Sequence, residues 1–574
     1  MISLAFILPL IGVVACLALS RFVASQLIGL VAAATLLLSA ILMAAGRFAH
    51  GMPRTVIDSV WLAWNDLSWR IALIVDPPGW SMAMIVYAGG ALGLLSVARA
   101  LPSDLRGFGG LFAALLLALV GAATGVSSSS LPVLAFAPVI VGIAWFAALR
   151  ASGALPGSDA PLVLALTGSF AALILLAILL IERADPAGTP PILIVAGALA
   201  SAWIVCGLPP LYSSLAAAHL APAALATLAP LGLPIIGIAV LLRLLPDHLA
   251  LLDQTDLSIV TIAGVLAFVL AAARAVGSNS LRQIVAAQLG AQTALIVVCA
   301  GCGRAAFVSV APVLAIHGML STLALALGVA ALERRSGNDD VTMLTCHPES
   351  ALHFTTVGVV LAISSVAGLP GTWGFWARLW LFDAAQSSVP WAIAPLVAGS
   401  SLLTLALVAP LVRFWRASAP SALPRRVYPA EILPPGIGIL LALMGAFPDA
   451  GWRLIQLTPV SSYAPYLPGI VGSIASAGAA LLLIAAPVAL RRARERRAPP
   501  QDERLSSVLA PDTIGAAVAG LAWLAAPALP EATQTRLADT ALRIRQGLAV
   551  LGRRYYLAAV FVALIVVILV FAAG

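Results

Sequence analysis

Apolar residues run through this chain in long stretches, broken by short loops that hold most of its charge. A stretch of about 20 such residues is what an α-helix needs to cross the hydrocarbon core of a bilayer. Sixteen spans are predicted, at 2–20, 26–46, 79–98, 107–125, 131–149, 161–181, 190–206, 223–245, 258–276, 281–302, 307–332, 353–383, 390–414, 431–448, 467–490 and 555–572. The seventh is short, and the twelfth is long and interrupted. The first lacks a basic start and a small-residue cleavage site, so it reads as a retained span and not a signal peptide. Between the last two spans, Thr533 to Leu551 places Leu537, Leu542, Ile544 and Leu548 at helical spacing. That is the pattern of a helix lying along the membrane or along neighbouring subunits, with an extra pair of spans as the competing reading.

Composition agrees with this pattern. Only 9% of the 574 residues are charged and 62% are apolar, with a mean hydropathy of +1.07. A water-facing surface for a chain this long cannot be assembled from so few charges. The net charge of +8 sits in loops, which makes it a topology signal and not a nucleic-acid footprint. Loops after odd-numbered spans are rich in arginine (Arg21, Arg99, Arg106, Arg150, Arg274, Arg282, Arg334, Arg335, Arg413, Arg416, Arg425, Arg426 and the run Arg491 to Arg497). Loops after even-numbered spans hold fewer: Arg47, Arg54, Arg70, Arg183, Arg243, Arg304 and Arg453. The positive-inside rule then puts odd loops in the cytoplasm and both termini outside, in a bacterial-type inner membrane. The 491–497 run also suits contact with anionic lipid.

All 31 basic residues are arginine; lysine is absent. A desolvated lysine can release its proton, whereas an arginine keeps its charge. Cys16, Cys206, Cys299, Cys302 and Cys346 form no framework, and Cys299-Ala-Gly-Cys302 reads as small packing residues closing an apolar helix. No nucleotide, haem or carboxylate-cluster motif is present, so no cofactor or metal is expected to be bound by this chain.

Two segments interrupt their helices in comparable settings: Cys206-Gly-Leu-Pro-Pro-Leu211 ends span seven, and Ala367-Gly-Leu-Pro-Gly-Thr-Trp-Gly-Phe375 lies within span twelve. Proline removes a backbone donor, so a break at membrane depth must be buried in protein or line a wet cavity. Their separation by five spans suggests two five-helix repeats. The organisation is then 1–106 (helices 1–3), 107–250 (first repeat, helices 4–8), 251–415 (second repeat, helices 9–13), 416–490 (helices 14–15), 491–554 (lateral segment) and 555–574 (last helix). The fold class is an all-α polytopic membrane protein with two inverted five-helix repeats and broken helices 7 and 12.

Few polar groups lie within spans. His317 sits mid-span and can either relay a proton or simply hydrogen-bond within the core. His219 follows the first break. Arg378 follows the second, where a fixed charge at membrane depth needs company, for which Asp383 and Trp376 are candidates.

Gly371-Thr-Trp-Gly-Phe-Trp-Ala-Arg-Leu379 after Ala367-Gly-Leu-Pro370 resembles the broken twelfth helix of the antiporter-like membrane subunits of respiratory complex I, Mrp antiporters and membrane-bound hydrogenases. His317-Gly-Met-Leu-Ser321 with Gly328 and Glu333-Arg-Arg335 is similar to that family's eleventh helix and its exit loop. Ser280-Leu-Arg-Gln-Ile284 is similar to the start of the tenth, Pro210 through His219 to Pro222 to the stretch after the seventh, and Val75-Asp-Pro77 to the start of the third. The span number and lateral segment look most like the largest complex I subunit of this type. The resemblance implies proton translocation, with sodium as the alternative ion, and partnership with other membrane subunits and lipid. It points to Arg378, His317, His219, Ser321 and Asp383 as the ion-translocation residues.

The chain departs from the family where the family titrates. Nothing between Gly107 and Gly157 is acidic, although the family has a glutamate there. The family's lysine before the seventh-helix break falls at about Val205, its titratable residue in helix eight at about Ile235, and that of helix twelve at Arg378. The chain thus reads as a proton-translocating subunit of a complex I-like or hydrogenase-like assembly. Two other readings stay open: a non-pumping subunit that builds a membrane arm, and the membrane partner of an energy-coupled inorganic-carbon transporter.

Overall fold

The computed structural model describes residues 2–51, 54–64, 67–101, 107–153, 159–184, 189–209, 211, 221–336, 339–341, 353–417, 433–449 and 451. It is a helical bundle. The helices are α1 (Ile2–Leu19), α2 (Ser25–His50), α3 (Pro77–Ala100), α4 (Gly109–Val126), α5 (Leu131–Ser152), α6 (Ala160–Ala184), α7 (Pro191–Cys206), α8 (Leu233–Leu249), α9 (Gln254–Gly277), α10 (Leu281–Gly301), α11 (Arg304–Ser336), α12 (His353–Ala367), α13 (Trp373–Ser388), α14 (Ile393–Ala417) and α15 (Leu433–Ala446). Among the described residues, eleven helices are long and apolar enough to cross a membrane. The shorter apolar helices Pro191–Cys206, Thr355–Ala367 and Leu433–Ala446 occupy the predicted seventh, twelfth and fourteenth spans. The chain is a multi-pass membrane protein. Spans 467–490 and 555–572, the lateral segment 491–554 and Cys346 lie outside the described residues.

Helix ends follow local chemistry. Asp76 caps α3 by accepting from the Gly79 N–H at 3.0 Å, with Pro77 and Pro78 in the first turn, where a missing donor costs nothing. Asp253 and Ser280 cap α9 and α10 in the same way. Peripheral helices turn apolar side chains outward at helical spacing, as α1 does with Leu4, Ile7, Ile11 and Val14. In water such a stripe would be a liability; against lipid it costs nothing. The most apolar stretches of α10 and α11 are instead wholly enclosed, so these two helices form the centre. Gly264 of α9 lets the Val297–Val298 backbone of α10 approach closely, the small-residue contact that substitutes for a hydrophobic drive inside a bilayer.

The structure adds one element to the helices-only expectation. Residues between α2 and α3, read from sequence as a loop, form an antiparallel hairpin, β1 (Arg54–Trp64) with β2 (Leu67–Val75), in register from Arg54↔Val75 to Trp64↔Leu67 with two bulges. Ser128 pins β2 to the α4–α5 connection through a bridge to Leu73 and a 3.0 Å hydrogen bond to the Ala72 carbonyl. Two arginines assigned to loops are also relocated. Arg47 is buried in the last turn of α2 with its guanidinium 4.1 Å from the Trp80 ring centre, and Arg243 lies within α8. Each found a partner contact that made burial tolerable.

Candidate ion-conducting site

Both predicted breaks are present, and they use the same backbone device. At the end of α7, Gly207 adopts φ 60°, its N–H donates to Ile204 O, and Leu208 N–H donates to Trp203 O at 3.0 Å. At the end of α12, Gly368 adopts φ 74°, its N–H donates to Ser365 O, and Leu369 N–H donates to Ser364 O at 3.0 Å. A left-handed residue at this position is favourable only for glycine, and the returning hydrogen bonds satisfy carbonyls that the helix end would orphan.

Their surroundings differ. At the second break, Arg378 of α13 is 2% exposed and reaches back across the gap. Its Nη1 donates to Ala367 O at 3.1 Å and its Nη2 to Val366 O. The guanidinium thus sits on the C-terminal carbonyls of α12, the negative end of that helix's dipole. Any side chain at Gly368 would meet Arg378 Cδ at 2.7 Å. Ser365 joins the same region to α11: its Oγ lies 3.1 Å from His317 Nε2 and accepts from the Gly374 N–H at 3.1 Å. Gly374 lets α13 press against this pair, since a Cβ there would stand 2.6 Å from His317 Nε2. His317 Nδ1, fully enclosed, has no hydrogen-bond partner among the described residues.

One helix away, a chain of neutral polar groups joins α10 to α11. Thr322 Oγ1 contacts Gln288 Oε1 at 2.6 Å, and Gln288 Nε2 donates to Ser321 Oγ at 3.3 Å. Gln292, one turn along α10 from Gln288, packs beneath Gly318, and neither atom of its amide has a hydrogen-bond partner among the described residues. Of the five residues indicated by the sequence, the structure gathers His317, Ser321 and Arg378 in this central region. Asp383 lies farther along α13 and is half-buried. His219 lies outside the described residues. Trp376, expected beside Arg378, instead donates its indole N–H to Gly445 O at 2.8 Å. Gln288, Gln292, Thr322 and Ser365 went unremarked in the sequence, although two glutamines four apart within a span were a usable signal.

The first break is lined differently. Val205 and Ile235 are buried in the apolar core, Gly237 packs on Val205 and Cys206, and Cys206 Sγ donates to Pro234 O at 3.3 Å. The ion pair in this half lies at the α3 end of the bundle. Arg243 grips Asp76 with both arms, Nη1 to Oδ2 at 2.5 Å and Nη2 to Oδ1 at 2.6 Å. Gly79 leaves room for it: a Cβ there would meet Arg243 Nη2 and Asp76 Oδ1, each at 2.7 Å. The Val75-Asp-Pro77 motif carried the acid; its partner lies 167 residues away.

A second ionic cluster occupies the opposite end. Arg282, in the first turn of α10, pairs with Asp339 at 3.0 Å and Glu333 at 3.3 Å and donates to Ala221 O, so it ties the start of the α8 region to α10 and α11. Burial pushes the Asp339 carboxyl up, but hydrogen bonds from Ser280 and Arg282 outweigh it and hold the group below its ordinary value.

Residues 189–404 match the family model for the membrane domain of NADH:quinone oxidoreductase and Mrp antiporters. No curated protein matches the chain by sequence. Its fold is similar to a chain of the Mrp complex from Dietzia sp. DQ12-45-1b, at 18% identity and TM-score 0.72, over 100% of this chain and 63% of that one. A chain of the membrane-bound sulfane sulfur reductase, an archaeal respiratory membrane complex, matches at 19% identity and TM-score 0.65, covering 99% of both. A chain of respiratory complex I from Thermus thermophilus with bound aureothin matches at 19% identity and TM-score 0.57, over 78% of this chain and 98% of that one. The chain therefore carries, at 189–404, a match to the membrane domain of the NADH:quinone oxidoreductase/Mrp antiporter family, within a fold similar to chains of these membrane complexes.

Proposed function

We propose that this chain is a proton-translocating subunit of a multi-subunit complex of the complex I or membrane-bound hydrogenase type, in which the second repeat alone carries the proton. The observation that supports this is the concentration of buried polar side chains between α10 and α13, set against apolar Val205 and Ile235 at the matching places of the first repeat. His317 is the proton-carrying side chain, since imidazole can both accept and donate near neutral pH. Ser365 orients its Nε2, and Gln288, Ser321 and Thr322 extend a hydrogen-bonded route along α10 and α11. His317 Nδ1 and the Gln292 amide lack partners among the described residues, and buried polar groups in that condition are satisfied by water. Arg378 is a fixed positive charge that does not exchange its proton and shapes the field along the route. The complex sits in a bacterial-type inner membrane with odd-numbered loops cytoplasmic, contacts lipid, and moves protons, with sodium as the alternative cargo.

The non-pumping reading is favoured for the first repeat alone, where no titratable side chain stands at the family's membrane positions. The test is proton uptake by inverted vesicles that contain the intact complex. His317→Leu is expected to lower the pumping rate by about a hundredfold or more, the scale on which a positioned acid–base group acts. Assembly should be unchanged. Full retention of pumping in that variant leaves only the structural role. Purification of the native complex identifies the partner subunits.

A further inference from the structure

The two halves of the second break cap each other. Arg378 of α13 reaches back to the Val366 and Ala367 carbonyls at the end of α12. In the other direction, α13 begins without a side-chain cap of its own. Thr372, at the capping position, donates its hydroxyl to Leu369 O at 2.7 Å instead. Ser365 of α12 supplies what is missing, its Oγ accepting from the Gly374 N–H at 3.1 Å. The first N–H groups of a helix have no partner within it, and a serine oxygen is among the best acceptors for them.

This contact fixes the direction of a second one. Among the described residues, Ser365 Oγ meets two groups, the Gly374 N–H and His317 Nε2, the latter also at 3.1 Å. A hydroxyl has one hydrogen to give and two lone pairs to offer. Gly374 takes one lone pair, and the hydrogen needs an acceptor, because a buried donor left open is costly. His317 Nε2 is the acceptor within reach. In a neutral ring, Nε2 accepts only when the ring's own hydrogen is on Nδ1. The reverse arrangement turns an Nε2–H to Oγ, or to the Ser365 carbonyl that the Gly368 N–H already occupies. It leaves the serine hydrogen without an acceptor and Nδ1 without a donor among the described residues. The first arrangement leaves one open group and the reverse leaves two, so the first is favoured.

We infer that Ser365 is a positioning residue for the proton relay: it sets the tautomer of His317, so that the resting ring carries its hydrogen on Nδ1 and takes an incoming proton at Nε2. The inference rests on His317's being the relay. The step balances with water as proton donor and acceptor. A proton taken on the remaining lone pair of Ser365 Oγ releases the serine's own hydrogen to Nε2, and the imidazolium so formed loses its Nδ1 hydrogen. Gly374 keeps Nε2 open to the serine, since a Cβ there would stand 2.6 Å from that nitrogen. The break thus does more than interrupt a helix. The N–H that it frees at the start of α13 holds the serine oxygen, and the serine in turn selects which imidazole nitrogen is basic. A serine acting only as a cap would hold α13 whichever nitrogen bore the hydrogen, so the tautomer separates the two roles.

The test is solid-state NMR of the intact complex in lipid, with histidine isotopically labelled at both ring nitrogens and the His317 signals assigned by their loss in His317→Leu. Wild type is expected to show a neutral ring with its hydrogen on Nδ1. Ser365→Ala removes both the lone pair and the hydrogen, and the ring is expected to change to the Nε2–H form that histidine prefers in water. Ser365→Thr keeps the hydroxyl and should keep Nδ1–H. Pumping by inverted vesicles should fall about tenfold in the alanine variant, the equivalent of one net hydrogen bond, and return to within about twofold of wild type with threonine. An Nε2–H ring in wild type, or an Nδ1–H ring that persists in Ser365→Ala, overturns the assignment. Where the alanine variant fails to assemble, the wild-type spectrum decides alone. Failure of the relay reading looks different: His317→Leu would then pump normally while the tautomer still followed Ser365.

Discussion

At Cys206-Gly207 and at Ala367-Gly368 the chain leaves a helix by the same route, a left-handed glycine with hydrogen bonds returned three and five residues back. Among the described residues, Val205, Cys206 and Ile235 pack as buried apolar side chains around the first; around the second, Arg378, Ser365, His317 and Gly374 make polar contacts. The broken helix is therefore a property of the scaffold, set by glycine and proline, and it forms beside apolar and polar side chains alike. Conversely, a break alone is no evidence of a conducting path. What distinguishes the second repeat is that its break exposes carbonyls to a buried guanidinium and a serine to a buried imidazole.

Placing a titratable group in the apolar half tests the contrast most severely. Val205→Lys puts an ammonium at a buried position where no described residue offers it a counter-charge. An uncompensated buried charge costs about 3–5 kcal/mol. The purified protein should melt far below wild type, with low yield; an unchanged melting temperature would mean that the first repeat is wet at Val205 after all. Removing the charge from the polar half should cost a similar amount. Arg378→Met keeps the stem but orphans the carbonyls of Val366 and Ala367, about 1–3 kcal/mol for each buried acceptor left unsatisfied. Arg378→Lys should recover part of that loss, because an ammonium can still reach one carbonyl. Equal melting temperatures for the methionine variant and wild type would show that the guanidinium does not cap α12.

The smallest effect concerns the ionic cluster at the Arg282 end, beneath the second repeat. The Asp339 carboxyl is held below its ordinary value in the folded protein, so it binds its proton less readily folded than unfolded. Its contribution to stability is full above the unfolded value of about 4 and disappears as pH falls through the folded value. Asp339→Asn should therefore lower the melting temperature slightly at pH 7, by the equivalent of less than about 1 kcal/mol given its partial exposure. The difference from wild type should vanish in strong acid. A gap that stays constant down to the lowest pH at which the protein remains soluble would assign the effect to lost hydrogen bonding and not to charge.

Among the described residues, the spans and both breaks were legible in the sequence because each depends on residues adjacent in the chain: apolar length sets a crossing, and Gly-Leu-Pro sets a helix end. The departures from the family were legible too, since Val205, Ile235 and the absence of lysine need no coordinates. The hairpin before α3 was not, because its strands are stabilised by each other and by Ser128, outside any local window. Nor were the carbonyl contacts of Arg378: Asp383 and Trp376 are near in sequence, whereas the carbonyls of residues 366 and 367 come to the guanidinium across the break.

Amino-acid order thus determined which segments enter the membrane, where two of them fracture, and which charges can never switch. Tertiary structure decided what meets across helices: His317 with Ser365, Gln288 with Thr322, and Asp76 with Arg243. The division has a simple cause. Crossing and breaking are decided by transfer energies and backbone sterics within a few residues, whereas contact between helices depends on the rotation and depth at which each docks, which no short stretch of sequence encodes.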